Sequence, residues 1–167
     1  MIIKKQKPIK AQRVTNAKKY KLMAISSLVL GLGLSTSVFA ENLVQNSGFE
    51  NNASGWSTSG TSSAQLIESN GRDGNRMTHW STSNNYSVDT YQTITGLDAG
   101  TYRLSAYSVG GSSSQAYLYA TNCGDQDKQS NIPAIGWGNW TQISVGDINV
   151  TSSSCTIGIH TTNTDWT

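Results

Sequence analysis

The sequence contains little proline, cysteine, phenylalanine or charge. Its 167 residues include two Pro, two Cys and two Phe, and 13% are Asp, Glu, Lys or Arg, about half the charged share of an average soluble domain. Two cysteines and two dispersed histidines argue against a zinc site. In an oxidising compartment Cys123 and Cys155 would form a disulfide, and two reduced, buried cysteines are the alternative.

Recognisable catalytic motifs are also missing. The sequence has no G-x-S-x-G, no H-E-x-x-H and no Gly-rich phosphate loop. A sugar hydrolase needs two carboxylates that flank the scissile bond. After residue 40 most of the seven Asp lie in turn-like segments, and no two acidic residues form a recognisable active-site motif. Asp125 and Asp127 could form such a pair, but ordinary solvated turn acids are the simpler interpretation. We therefore expect residues 1–167 not to be an enzyme.

The positive charge is concentrated at the N-terminus. Residues 1–21 hold eight of the twelve Lys and Arg, and an apolar run of 13 residues, 22–34, follows before Val38-Phe39-Ala40. This order predicts a secretory signal peptide over residues 1–40 that is cleaved after Ala40. A retained membrane anchor is the alternative, although a spanning helix needs roughly 20 apolar residues. We expect a secreted protein, extracellular or periplasmic.

Residues 41–167 have a length typical of one domain and carry a negative charge. They contain four Lys or Arg against ten Asp or Glu, which gives a net charge of −6. Nucleic acids and anionic membranes are bound through clustered Lys and Arg. We therefore expect neither partner for the processed protein, and we expect a monomer.

Short alternating runs separated by Gly, Asn, Asp and Ser clusters predict an all-β fold, an antiparallel β-sandwich. In Thr101–Val109, for example, Tyr102, Leu104 and Ala106 share one face, as a half-buried strand requires. The predicted strands are Asn42–Gln45, Ala64–Glu68, Arg76–Trp80, Ser87–Thr95, Thr101–Val109, Gln115–Thr121, Thr141–Val150 and Cys155–Thr161.

Five tryptophans are many for a small domain with an aliphatic core. We interpret Trp56 and Trp140 as core residues, whereas Trp80, Trp137 and Trp166 could be either core residues or ligand platforms. An indole can cover the C–H face of a pyranose while polar side chains bond the hydroxyl rim. The candidate hydrogen-bonding residues are Arg76, His79, Asn122 and Asp165, and Tyr117 and Tyr119 are further stacking candidates on an exposed strand face.

Several segments resemble one known family. Residues 42–56, "NLVQNSGFENNASGW", resemble the opening of jelly-roll carbohydrate-binding modules. "GRDGNRMTHWS", "YQTITGLDAGTYRLSAY", "AYLYATNCG", "WTQISVGDINV" and "CTIGIHTTNTDW" are similar, in order, to the family-61 modules attached to bacterial arabinogalactan endo-β-1,4-galactanases. The resemblance covers residues 42–166. It implies a jelly-roll sandwich that binds β-1,4-galactan or arabinogalactan and targets an attached glycoside hydrolase to the plant cell wall.

The resemblance also implies a structural calcium ion. Its ligands would be Glu50 and oxygen atoms of the turn from Gly71 to Asp73. In such modules a final strand follows the segment that matches Asp165-Trp166, so we expect this chain to be a fragment that lacks that strand. The alternative function is a secreted adhesion or structural sandwich of the cell surface whose aromatic residues are buried.

Overall fold

The computed structural model describes residues 1–6, 41–82, 85–111 and 113–163. Within these ranges the chain forms strands and one short 3-10 turn, Ser62–Ala64. The strands are β1 (Ile2–Lys5), β2 (Ser57–Gly60), β3 (Gln65–Glu68), β4 (Arg76–His79), β5 (Tyr86–Thr95), β6 (Gly100–Gly110), β7 (Gln115–Thr121), β8 (Lys128–Asn131), β9 (Gly136–Val150) and β10 (Ser154–Asn163). None of the described segments is a helix long and apolar enough to cross a membrane.

Two antiparallel sheets pack around one main core. One sheet has the order β1-β6-β9, the other has the order β2-β5-β10-β7-β8, and β3 and β4 form a separate hairpin. The inner faces of both large sheets bury mainly aliphatic side chains, and the main core includes Tyr102, Leu104, Leu118, Ile148 and Ile157. The prediction of an all-β antiparallel sandwich is confirmed.

The period of two in the sequence decides which side chains enter the core. In β6, Tyr102, Leu104 and Ala106 are buried, while Arg103 and Tyr107 are exposed. Trp56 is also buried, as predicted; its ring packs 5.0 Å from that of Phe49, and its indole N–H donates to the carbonyl of Asn46. Burying such a large side chain with its N–H bonded is strongly stabilising.

Several strands differ from the prediction. Asn42–Gln45 is not a strand, because local bonds take its backbone: the Val44 N–H donates to the Asn42 side chain and the Gln45 N–H to Gln92. The strands β2 and β8 were not predicted, because "STSG" and "KQSN" contain no apolar residue that could alternate. β9 begins at Gly136, five residues before the predicted start.

The N-terminal strand β1 was not predicted either. It pairs antiparallel with β6, with Ile3 opposite Leu104, and the side chain of Ile3 is fully buried. β1 lies within the segment that the sequence predicts to be a cleaved leader. The cleavage itself stays a prediction.

A disulfide joins the ends of two neighbouring strands. Cys123 follows β7 and Cys155 lies in β10, and their sulfur atoms are 1.97 Å apart. Both cysteines are buried in the main core. The bond therefore links, within the core, two residues that are 32 positions apart in sequence.

Candidate functional site

A groove of about 550 Å³ lies where the β3–β4 hairpin meets β6 and β9. The hairpin contributes β4 and the residues that follow it, β6 contributes its C-terminal half, and β9 contributes its first residues. Met1 and Ile2 line another part of the wall. The groove is thus assembled from segments distant in sequence.

Two exposed indoles line this groove. Trp137 is 62% exposed and Trp80 is 44% exposed. Trp137 stands between Gly136 and Gly138, whose φ angles of 83° and 92° are readily adopted by glycine. These glycines allow the irregular start of β9 that carries the Trp137 indole outward. Large exposed aromatic side chains beside a concavity are typical of binding sites.

Arg76 is held at the groove by partners on both sides. Its Nη2 and Nε atoms lie 3.0 and 3.1 Å from the carboxylate of Glu68, and its guanidinium carbon lies 5.8 Å from the centroid of Trp137. The Thr78 hydroxyl also donates a hydrogen bond to the Glu68 carboxylate. This bond lowers the pKa of the Glu68 carboxyl, and the hydrogen bond and charge of Arg76 lower it further. The cation is thereby oriented towards the groove before any ligand binds.

A second cation lies over a second ring. The guanidinium carbon of Arg72 is 3.8 Å from the ring centroid of Tyr107, and both residues line the groove. Tyr107 is 44% exposed. A guanidinium over an aromatic face is stabilised by the ring's electron density. The groove therefore combines aromatic surface with fixed hydrogen-bond donors.

His79 lies beside Trp80 but faces the interior. Its Nδ1 is 2.9 Å from Thr161 Oγ1 and its Nε2 is 2.9 Å from Thr90 Oγ1. Thr90 and Thr161 are both buried. Burial, partly opposed by the nearby carboxylate of Asp89, lowers the pKa of His79 to about 4. His79 therefore supports the floor of the groove as a neutral imidazole.

The pKa of His79 predicts a loss of stability in mild acid. The unfolded chain takes up this proton near pH 6.5 and the folded chain near pH 4, so stability falls between these values by up to about 3 kcal/mol. Urea unfolding at pH 7 and at pH 4.5 measures the fall. In His79→Gln the fall should be smaller than in the wild type. Equal falls in the two proteins would contradict this assignment.

Only some of the predicted ligand-binding residues meet at the groove. Arg76, His79, Trp80 and Trp137 line it. Asn122 lies elsewhere, in a turn where its N–H donates to Asp127 and its carbonyl accepts from Ser152. Tyr117 and Tyr119 lie on the outer face of the five-stranded sheet. Asp165 and Trp166 lie outside the described residues.

Among the lining residues that the sequence did not assign to a ligand site are Arg72, Tyr107 and Trp140. The outward position of Tyr107 follows from the alternation of β6. Trp140, interpreted as a core residue, is partly buried and lines the groove. Alternation predicts on which side of a strand a side chain lies, but it does not reveal which loops come together on that side.

The predicted calcium ligands are partly brought together. The backbone N–H of Asn75 donates to Glu50 Oε1 over 2.9 Å, which places the carboxylate of Glu50 against the turn that contains Gly71. Asp73, in contrast, pairs with Arg72 at 3.0 Å and is largely exposed. Within the described ranges no three His, Cys, Asp or Glu side chains cluster as metal ligands. Glu50 and the turn's carbonyl oxygens fit calcium's preference for oxygen ligands, whereas Asp73 would have to leave Arg72.

Comparisons with known proteins identify the fold. No family model matches the chain, and neither does any curated protein. Among solved structures, it is similar to TmCBM61 in complex with β-1,4-galactotriose, with a TM-score of 0.67 and 20% identity over 75% of this chain and 90% of the other. It is also similar to the enzymatically active domain of bacteriophage CBA120 tailspike protein 4, with a TM-score of 0.58 and 14% identity over 72% of this chain. The matched part is 19% of the tailspike chain. The chain thus has the β-sandwich fold of these proteins.

Proposed function

We propose that this chain is a non-catalytic carbohydrate-binding module of family 61 that binds β-1,4-galactan. The observation that carries the proposal is the groove with two exposed indoles, Trp80 and Trp137. The complex of TmCBM61 with β-1,4-galactotriose supports the ligand class, because that protein shares the fold. The sequence segments similar to family-61 modules support it independently.

The chemistry of the groove suits a neutral sugar. The indole faces can cover the C–H groups of a pyranose, while Arg72 and Arg76 can donate to its hydroxyl oxygens. Each arginine is already oriented by an aromatic ring of the groove. Preorganised side chains lose little conformational entropy when the ligand binds. The groove therefore supports saturable binding of modest affinity.

The alternative of an adhesion or structural sandwich rests on buried aromatic residues. Trp80, Trp137 and Tyr107 are each more than 40% exposed and line the same groove. Their exposure does not match that premise. We therefore retain sugar binding as the proposed function.

Affinity electrophoresis tests the ligand class. Galactan cast into a native gel should retard the protein in a concentration-dependent way, whereas xylan and a soluble cellulose derivative should not. The exposed residue Ile135 lies outside the groove lining, so Ile135→Ala serves as the matched control and should migrate like the wild type. Retardation by xylan or cellulose without retardation by galactan would reject the specificity.

We also propose that Glu50 and carbonyl oxygens of the neighbouring turn bind a structural calcium ion. Gly74 leaves room for this carboxylate, because a Cβ at that position would collide with it. A bound ion would fix the chain at Glu50 to the turn that connects β3 and β4. It would thereby fix one wall of the groove, since Glu50, Asp73 and Asn75 line it.

Thermal unfolding with and without calcium tests this proposal. An ion present at 100 times its Kd stabilises the folded chain by about 2.7 kcal/mol. We expect added calcium to raise the Tm of the EDTA-treated wild type and to leave Glu50→Gln nearly unchanged. Asp73→Asn is the matched comparison. If Asp73→Asn loses less of the calcium-induced rise in Tm than Glu50→Gln does, Glu50 is the main ligand. An unchanged wild-type Tm in millimolar calcium would contradict the site.

We further propose that the module targets an attached endo-β-1,4-galactanase to plant cell walls.

We also propose that the protein is exported and cleaved after Ala40. Cleavage would remove β1 from β6 and would remove Met1 and Ile2 from the wall of the groove. The processed groove would be wider. The N-terminal residue of the exported protein, determined by mass spectrometry, should be Glu41. A mass that corresponds to a chain starting at Met1 would contradict the cleavage and would mean that the exported protein keeps β1.

A further inference from the structure

The outer face of the five-stranded sheet carries a second, separate set of aromatic and polar side chains. Across the sheet, Tyr91 on β5, Gly158 on β10 and Tyr119 on β7 stand side by side. The adjacent row contains Asp89, His160 and Tyr117 on the same three strands. None of these residues lines the groove. We call these two rows the tyrosine face.

Gly158 lets the ring of Tyr119 lie across β10. A Cβ at position 158 would be only 2.6 Å from the Cζ and hydroxyl oxygen of Tyr119, so the phenol occupies the space above this glycine. From there the hydroxyl reaches across to bond the side chain of Asp89 on β5. Tyr119 is partly exposed. The ring therefore lies along the surface of the sheet, where a ligand can stack on it.

Asp89 and His160 fix the neighbouring row. His160 Nδ1 lies 3.0 Å from Asp89 Oδ1, and its Nε2 lies 2.9 Å from Thr162 Oγ1. Tyr117 stacks on the imidazole with a centroid separation of 4.8 Å, and it meets Tyr119 edge to face at 6.0 Å. Burial and the carboxylate of Asp89 raise the pKa of Tyr119, which keeps its phenol protonated. The two rows thus form one connected and preoriented surface.

The residues around the tyrosine face are neutral and polar. Its rows continue outward into Ser57 and Ser59 on β2 and into Gln129 and Asn131 on β8, and all four are exposed. The described outward positions of these rows contain no Lys or Arg, which disfavours nucleic acid and anionic lipid. They contain no large aliphatic side chain, which disfavours an apolar protein interface. Aromatic rings among hydroxyl and amide groups match the alternating C–H and hydroxyl surfaces of a neutral saccharide.

We infer that the tyrosine face is a second binding surface for neutral saccharide, on which a pyranose stacks on Tyr119. The choice of β-1,4-galactan as the ligand rests on the proposed function. The choice of residues rests on the geometry of the tyrosine face alone. Because a galactan chain is long, the two surfaces can engage one polymer or two neighbouring polymers. Simultaneous engagement raises the apparent affinity for the polymer without new contacts.

Nuclear magnetic resonance with β-1,4-galactotriose as the probe tests the second surface directly. We expect saturable shifts of the backbone amides of Gly158, Tyr119 and Asp89 in the wild type. The same shifts should persist in Trp80→Ala/Trp137→Ala, in which the groove is disabled. Shifts confined to the groove residues would overturn the second surface and leave the proposed function standing. Shifts confined to the tyrosine face would overturn the groove instead.

Polymer binding provides a second readout. Tyr119→Ala should weaken retention by galactan about tenfold, as expected when a stacking aromatic is lost. It should also leave the groove shifts caused by galactotriose unchanged. Tyr119→Phe keeps the ring, so it should retain most of the binding. Unchanged retention for a folded Tyr119→Ala protein would contradict the inference.

Discussion

Replacing both Trp80 and Trp137 by alanine should weaken binding of β-1,4-galactotriose in the groove at least about 30-fold, since buried aromatic anchors in binding sites are commonly worth 2 kcal/mol or more. The two indoles are 44% and 62% exposed in the free protein. They therefore contribute little to the folded core, and the free energy of unfolding should change by no more than about 0.5 kcal/mol for each substitution. A galactotriose titration followed at the backbone amides of the groove by nuclear magnetic resonance measures the affinity of the groove, because calorimetry would also register binding at the tyrosine face. Urea unfolding measures the stability.

The control for this prediction is Trp56→Phe. Trp56 is buried and bonded to the Asn46 carbonyl, so this change should lower the free energy of unfolding while leaving the affinity of the folded fraction unchanged. The opposite pattern would contradict the account of the groove. That pattern is wild-type affinity in the double variant together with a large loss of stability.

Removing the disulfide should have the largest effect on stability. The chain-entropy model gives roughly 3–4 kcal/mol for a loop of this length, because Cys123 and Cys155 are 32 residues apart. Cys123→Ser/Cys155→Ser should lower the free energy of unfolding by that amount in urea. A reducing agent should destabilise the wild type similarly and the double variant not at all.

The groove should be insensitive to this change. Neither cysteine lines it, so the folded double variant should bind galactotriose with nearly wild-type affinity. Unchanged stability of the double variant would show that the bond does not constrain the unfolded chain. Lost affinity in a folded variant would show that the disulfide end and the groove are coupled.

The parts of the fold that were predictable follow from alternation. β7 matches its predicted bounds, and β6 buries Tyr102, Leu104 and Ala106 as their spacing requires. β2 and β8 were missed because edge strands with polar residues on both sides carry no periodic signal. β1 was missed because its lysine-rich sequence also fits a leader.

The site was predictable residue by residue but not as an arrangement. Trp80 and Trp137 were nominated as indoles beside turns, and both line the groove. His79 and Trp80 are adjacent in sequence, so an extended backbone directs them to opposite sides. The imidazole of His79 therefore bonds the buried threonines below the groove, whereas the indole of Trp80 is 44% exposed. Alternation predicts an exposed strand face for Tyr117 and Tyr119, and both lie on the outer face of the five-stranded sheet. It does not reveal that this face is separate from the groove.

The central claim is that the indoles of the groove contact a galactan chain. A titration of intrinsic tryptophan fluorescence with β-1,4-galactotriose tests it most directly, because Trp80 and Trp137 are the strongly exposed tryptophans among the described residues. The account predicts a saturable change in the wild-type protein that disappears in Trp80→Ala/Trp137→Ala. An absence of any saturable change in the folded wild type, or an equal change in the double variant, would contradict it.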